Sequence, residues 1–218
     1  MSGSLSPRLG PTPDARFASP NDTGLSPTPP TGNVTLRRDV LAAIDADRGS
    51  FRTRLSALAD ERGLDPDLVP ARSGDPDDRA EREAMLVDRV RAFDDVPLGL
   101  TLTGPAYRDT PIVYVNRWFR DWTGYALDDL RGRNPRLFQA ADPDADVRAE
   151  FRDARADFRE ALSTWSRVTV EVRNRRRDGT PFVAHVSLRP LFGDAGTVTH
   201  WVAAQEPEPI EGSEARFE

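Results

Sequence analysis

The chain has 218 residues, of which 36 are acidic and 30 basic, and its formal net charge is −6. This negative charge argues against nonspecific binding to nucleic acid. The chain has no cysteine and two histidines, which excludes a disulfide framework and argues against a zinc or haem site. No apolar run approaches the roughly 20 residues of a membrane-spanning helix, and the N-terminus has no signal-peptide core. We therefore expect a cytoplasmic protein without a membrane partner.

The basic residues are all arginine, since lysine is absent. Abundant aspartate combined with this arginine bias is typical of halophilic proteins encoded by GC-rich genes. Codon bias alone would explain the same composition, and the two explanations stay open. We favour a haloarchaeal origin.

The first 93 residues contain a low-complexity segment followed by amphipathic helices. Residues 1–33 are rich in proline, serine, threonine and glycine, so we expect disorder there. Residues 34–64 place apolar side chains at helical spacing and predict a helical hairpin that needs a partner surface. Residues 65–75 are an acidic linker, and residues 76–93 predict a third helix that either packs on the next domain or transmits a signal.

Residues 94–206 predict an α+β domain. Two strands come first, then short helices, one long helix over 145–163, and three more strands. This order fits a five-stranded antiparallel sheet with helices on one face. Residues 207–218 form an acidic tail in this interpretation.

The segment from Gly132 to Gln139 combines an arginine with two amides at the start of a predicted helix. Asn134 is a candidate N-cap and Pro135 fits the first helical position. Arg136 and Gln139 are three residues apart and therefore share a face. Such a group can bind an anionic, hydrogen-bonding ligand, or it can be a capped helix with solvated side chains.

This octapeptide closely resembles the signature of light-oxygen-voltage domains, the flavin-binding branch of the PAS family. The signature reads Gly-Arg/Lys-Asn-Cys-Arg-Phe-Leu-Gln, and its cysteine bonds to the flavin in light. Here the cysteine position is Pro135. The Asn-x-x-Phe…Thr-Gly-Tyr element at 116–125 and the basic hairpin at 176–182 also resemble the family. The resemblance implies the PAS fold over residues 94–206.

The resemblance also implies a noncovalent flavin site, with FMN as the expected ligand and FAD or riboflavin as alternatives. Arginines suit its phosphate, and side-chain amides match its pyrimidine edge and ribityl chain. Gln205 matches the glutamine that faces the reactive flavin nitrogen. The six implied flavin-binding residues are Asn134, Arg136, Gln139, Arg152, Asn174 and Gln205.

Two departures bear on function. A pyrimidine-edge asparagine is replaced by Ala184, and Thr110 stands where many members have asparagine. The loop and helix before Thr169 are about two helical turns longer than in a typical plant member.

We therefore expect a sensory signalling protein that binds flavin and responds to blue light or redox state by flavin reduction rather than by a cysteine adduct. Its output would pass through the N-terminal helices, to a homodimer or to a separate partner. A flavin-free PAS interaction module is the alternative. No nucleophile–base pair supports a flavin-dependent enzyme.

Overall fold

The structure is a computed structural model and describes residues 31–62, 79–139 and 145–210. Its helices and strands form two blocks, an all-helical block first and a mixed block second. The first block contains α1 (Thr31–Ile44), α2 (Arg48–Arg62) and α3 (Arg79–Arg91). The second contains β1 (Gly99–Thr103), β2 (Ile112–Val115), α4 (Arg117–Thr123), α5 (Leu127–Leu130), α6 (Ala145–Thr164), β3 (Val168–Arg175), β4 (Pro181–Phe192) and β5 (Val198–Pro209). Two short 3₁₀ helices cover Ala106–Arg108 and Pro135–Phe138.

The five strands form one antiparallel sheet in the order β2-β1-β5-β4-β3. The N-terminal and C-terminal strands therefore meet at the centre, where β1 pairs with β5. Gln205 of β5 lies opposite Gly99 on one side and Val186 on the other. The predicted α+β fold with a five-stranded antiparallel sheet is confirmed.

One face of this sheet, which we term the cavity face, packs against α4, α5, α6 and the 3₁₀ helix Pro135–Phe138. Its core includes Phe119, Phe138 and Phe182, all at most 2% exposed. Gly99 is needed here because a Cβ atom at that position would lie 2.5 Å from the Phe119 ring. The Phe119 ring of α4 therefore lies directly on the backbone of β1 at Gly99, the residue that pairs with Gln205 of β5.

The opposite face, the N-terminal face, is covered by α1, α2 and α3. Leu100 and Leu102 of β1, and Leu98 just before it, point to this side, as the period of two in a strand requires. Arg89 of α3 holds the helices together, because it donates hydrogen bonds to the carbonyls of Ile44 (2.8 Å) and Ala46 at the end of α1. The helical hairpin thus finds its partner surface on the sheet of the same chain.

Ion pairs join the N-terminal helices to the sheet. Arg37 of α1 lies 3.5 Å from the Glu206 carboxylate of β5, and both residues are buried. Asp45, in the turn after α1, pairs with Arg189 of β4 at 3.6 Å. His200 Nε2 of β5 lies 3.3 Å from Glu83 of α3. Each pair spans a long stretch of sequence, so local patterns do not reveal it.

The motif asparagine Asn116 connects the two blocks. It is fully buried, its Oδ1 accepts from the Leu100 amide at 2.8 Å, and its Nδ2 donates to the carbonyls of Phe93 and Leu98. An amide that satisfies three buried backbone groups is costly to replace. Its role in the described structure is therefore to hold β1 and the end of the helical region together.

Three predicted boundaries differ from the structure. α1 begins at Thr31, within the segment expected to be disordered, and helix ends are commonly uncertain by one or two residues. α3 ends at Arg91 rather than at residue 93. β5 continues to Pro209, into the expected acidic tail, because it pairs with β4 as far as Phe182. Residues 1–30, the linker 65–75 and residues 211–218 lie outside the described residues.

Candidate functional site: a cavity between the sheet and its helices

The cavity face of the sheet encloses a cavity of about 420 Å³ between β1, β3, β4 and β5 and the helices that cover them. This volume lies within the range that small-molecule sites occupy. Its wall is mixed, with apolar side chains between a few polar groups. It is lined by Thr101, Thr103, Thr110, Asn134, Pro135, Arg136, Phe138, Gln139, Phe158, Arg159, Leu162, Val172, Asn174, Val186, Leu188, Trp201, Ala203 and Gln205. Five of the six predicted site residues are in this set.

The octapeptide forms one wall of the cavity. Asn134 is the N-cap of the 3₁₀ helix, since its Oδ1 accepts from the Arg136 amide at 2.9 Å, and Pro135 occupies the first turn. Both local predictions are confirmed, although the helix is only four residues long and of the 3₁₀ type. Side chains three residues apart eclipse in such a helix, which brings Arg136 and Gln139 to the same cavity.

The polar groups of Asn134 are already used within the protein. Its Nδ2 donates to the Asp109 carbonyl at 2.7 Å and to the Thr110 hydroxyl at 3.1 Å. Asp109 also pairs with Arg136 at 2.7 Å between Oδ1 and the guanidinium. Asn134 therefore stabilises the cavity wall. The Arg136 guanidinium beside it pairs with the Asp109 carboxylate, which competes with an anionic ligand for that guanidinium.

Backbone strain accompanies this wall. Asp109 has φ 63° and Thr110 has φ 45°, in the left-handed region. Aspartate tolerates that region, but a β-branched threonine rarely adopts it. The contacts from Asn134 and Arg136 to Asp109 hold this turn at the cavity edge.

Asn174 and Gln205 bring amides to the cavity from β3 and β5. Asn174 is 4% exposed, and its Oδ1 has no hydrogen-bond partner among the described residues. Gln205 is 6% exposed and its Nε2 donates to the Thr101 hydroxyl at 3.1 Å. A buried acceptor without a donor costs free energy, so the Asn174 carbonyl is suited to a ligand that supplies an N–H or O–H.

Arg152 is the sixth predicted site residue. It lies within α6, and its side chain is outside the described part of the structure. Arg159, also of α6, lines the cavity. The two residues are seven positions apart in the helix, which is about two turns. The extra length expected before Thr169 corresponds to the same number of turns, which makes Arg159 a second candidate for a phosphate contact.

Sequence reasoning also missed the hydroxyl groups of β1 and the indole of β5. Thr101 and Thr103 alternate with the leucines of the N-terminal face, so the strand pattern alone places them in the cavity. Trp201 was one of several aromatic residues, and only the register Thr103↔Trp201 shows which side it faces. Ala184 is buried in the cavity-face core opposite Val172 and is not part of the lining.

Glu206 comes directly after Gln205 and lies on the other side of the sheet. Burial raises the pKa of its carboxyl, and the nearby Arg37 guanidinium opposes that effect. Gln205, which lines the cavity, and Glu206, which is buried on the N-terminal face, thus occupy successive positions of β5.

No helix in the described parts of the chain has the length and apolar character needed to cross a membrane. The PAS-domain family model matches residues 100–206. Among curated proteins, the bacterioopsin transcriptional activator of Halobacterium salinarum is 32% identical over 75% of this chain and 24% of its own length. Blue-light-activated histidine kinase 1 of Erythrobacter litoralis is 34% identical over 56% of this chain and 33% of its own length. The chain thus spans a third or less of either relative.

Among solved structures, one from a study of a flavin analogue and the light-oxygen-voltage domain mechanism is 27% identical, with a TM-score of 0.50. The similarity covers 60% of this chain and 92% of that chain. The residues matched by the PAS-domain family model, 100–206, include every residue listed above as lining the cavity. Residues 100–206 of this chain therefore form a PAS domain, and light-oxygen-voltage domains are among its neighbours in sequence and structure.

Proposed function

We propose that this chain is a sensory protein whose PAS domain binds flavin noncovalently and responds to blue light or to redox state. The observation that carries the proposal is the cavity, which brings together five of the six residues predicted from the sequence. The relatives support a signalling role, since they include a blue-light-activated histidine kinase and a blue-light photoreceptor of Listeria monocytogenes.

The polar groups of the cavity fit a flavin ring in its inner part. The pyrimidine edge of flavin carries an N–H next to carbonyl groups, and the unpartnered Asn174 Oδ1 is an acceptor for that N–H. Gln205 lines the same cavity from β5, and β4 lies between that strand and β3, which carries Asn174. Apolar residues such as Val186 and Leu188 supply flat contact surface between them.

The mouth of the cavity fits the other end of a flavin mononucleotide. Arg136 and Arg159 are both exposed residues of the lining and both carry guanidinium groups suited to phosphate. We propose FMN as the ligand for this reason, with FAD and riboflavin as alternatives. Arg159 takes the place that sequence matching gave to Arg152, whose side chain is not described.

A bound flavin would supply blue-light absorption and the ability to accept an electron. A cysteine adduct is excluded because the chain has no cysteine and Pro135 stands at that position of the cavity wall. We therefore propose that the response is flavin reduction. The amide of Gln205 presents either an oxygen or a nitrogen to its neighbours, so it can adjust its hydrogen bonds when the ligand gains a proton.

The output proposed for this change is the N-terminal helical layer. Glu206, next to Gln205, forms the buried pair with Arg37 of α1. A change in the hydrogen bonds of Gln205 thus occurs next to Glu206, whose ion pair with Arg37 joins α1 to the sheet. The layer would then act on a second copy of the chain or on a separate partner, in the cytoplasm of a haloarchaeon.

The absorbance spectrum of the purified protein tests the proposal. We expect a yellow protein with a structured blue absorption band, and bleaching of that band in blue light under reducing conditions. A colourless protein that takes up no added FMN, FAD or riboflavin would refute flavin binding and favour the flavin-free interaction module.

A further inference from the structure

Trp201 is a buried residue of the cavity with a polar N–H group that the proposed function does not use. It belongs to β5, lines the cavity and is 1% exposed. Its indole Nε1 has no hydrogen-bond partner among the described residues. Indole N–H groups normally find an acceptor when they are buried, so this arrangement is unusual. Trp201 therefore belongs to the cavity wall, and its N–H has no acceptor among the described residues.

The other three tryptophans differ from Trp201 in their surroundings, and none of them lines the cavity. Trp122 packs edge-on against Phe182, and the Arg176 guanidinium lies 3.8 Å from the centre of its ring. A positive charge at that distance opposes the removal of an electron from the ring. Trp165 is 49% exposed, beside Phe192. Trp201 is thus the indole that combines contact with the cavity and burial.

We infer that Trp201 is the residue that donates an electron to a photoexcited flavin in this cavity. The inference rests on the proposed function, because it needs a flavin there. One electron leaves the indole π-system, which becomes a radical cation, and the flavin ring is reduced by that electron. No bond forms or breaks in this step.

The missing acceptor determines the fate of the oxidised indole. That indole is a much stronger acid, but its N–H proton has no described side chain or backbone group to which it can pass. While the proton stays on the ring, the electron can return to it and restore both partners. Trp201 therefore shortens the excited state of the flavin. Lasting reduction requires a soluble thiol that gives one electron to the oxidised indole and releases its own proton to water.

The test is the fluorescence lifetime of flavin bound to the Trp201→Phe variant, compared with that of the wild type. Phenylalanine preserves an aromatic side chain but is far harder to oxidise. We expect a severalfold longer lifetime in this variant. The matched controls are Trp165→Phe and Trp122→Phe, for which we expect the wild-type lifetime. An unchanged lifetime in a flavin-bound Trp201→Phe variant, or a longer one in either control, would overturn the assignment.

A second measurement needs no variant. Ultrafast transient absorption of the wild-type protein should show a tryptophan radical cation that forms as the flavin excited state decays. Decay without that radical would refute the inference even if Trp201→Phe does not fold. Both outcomes are separate from the proposed function, since flavin binding and bleaching by the wild-type protein test that function whichever residue supplies the electron.

Discussion

Replacing Arg159 by glutamine should weaken binding of FMN selectively, because Arg159 lines the mouth of the cavity where the phosphate would lie. The matched variant is Arg152→Gln, on the same helix. The two residues are seven positions apart, which corresponds to about 10.5 Å along the axis of α6. An arginine side chain is long enough to reach a phosphate that lies between two such positions. The two variants therefore measure separately the contribution of the residue that sequence matching assigns and that of the residue that lines the cavity in the structure.

The size of the effect depends on the exposure of the site. A hydrogen bond to a charged group contributes about 1.5–3 kcal/mol. Arg159 is an exposed residue, so water screens its interaction and the lower end of that range applies. A loss of about 1.5 kcal/mol corresponds to roughly tenfold weaker binding of FMN. Riboflavin has no phosphate, and its affinity should change little.

The assay is a titration of the flavin-free protein with each ligand at fixed ionic strength, monitored by the quenching of flavin fluorescence. The quantity of interest is the ratio of the dissociation constants for FMN and riboflavin. Equal weakening of both ligands by Arg159→Gln would show that this arginine does not contact the phosphate. A selective loss of FMN affinity in Arg152→Gln, with none in Arg159→Gln, would show that the sequence assignment is right and that Arg159 does not contact the phosphate.

Four further predictions concern other parts of the molecule. Pro135→Cys should make the bleaching of the flavin band in blue light reversible in the dark without oxygen, because residue 135 lines the cavity; a photoproduct identical to that of the wild type would refute this geometry. Asp109→Asn should tighten FMN up to about fivefold, since it removes a carboxylate from an exposed Arg136 while asparagine tolerates the left-handed backbone; an equal gain for riboflavin would contradict this reason. Arg37→Met should destabilise the fold by about 3–5 kcal/mol in urea denaturation at neutral pH, because it leaves buried Glu206 unpaired. Burial raises the pKa of the Glu206 carboxyl, so the native state holds the carboxyl proton more tightly than the unfolded chain does, and the stability of the fold falls as pH rises through the raised pKa. The stability lost in Arg37→Met should therefore grow with pH. The Glu206→Gln substitution should remove this pH dependence. Finally, the thermal midpoint should rise from low to molar salt, since screening relieves the net charge of −6, and a flat or falling midpoint would count against the halophilic interpretation.

The sequence predicted the sheet well because each strand carries its own signal. The alternation in β1 and the Asp178-Gly179 turn between β3 and β4 depend on neighbouring residues only. The cap at Asn134 was predictable for the same reason. These features are local, so a single sequence contains enough information to place them.

The contacts across the sheet were not predictable in this way. No local pattern fixes the alignment of α6 with the sheet, so the sequence alone does not indicate that Arg159 lines the cavity. The pairing of Arg136 with Asp109 and that of Arg37 with Glu206 join distant segments. In each case, a charged residue had many partners of opposite charge in the sequence, and only the packing of the chain selects one.

The succession of Gln205 and Glu206 in β5 has a consequence for how the two sides of the sheet respond to each other. The two residues share one peptide plane, and their Cα atoms are about 3.8 Å apart. A displacement of this peptide group that shifts the Gln205 side chain in the cavity also shifts the Glu206 carboxylate relative to Arg37. The cavity and the helical layer are therefore separated by a single rigid peptide group, and no chain of packed side chains is required between them.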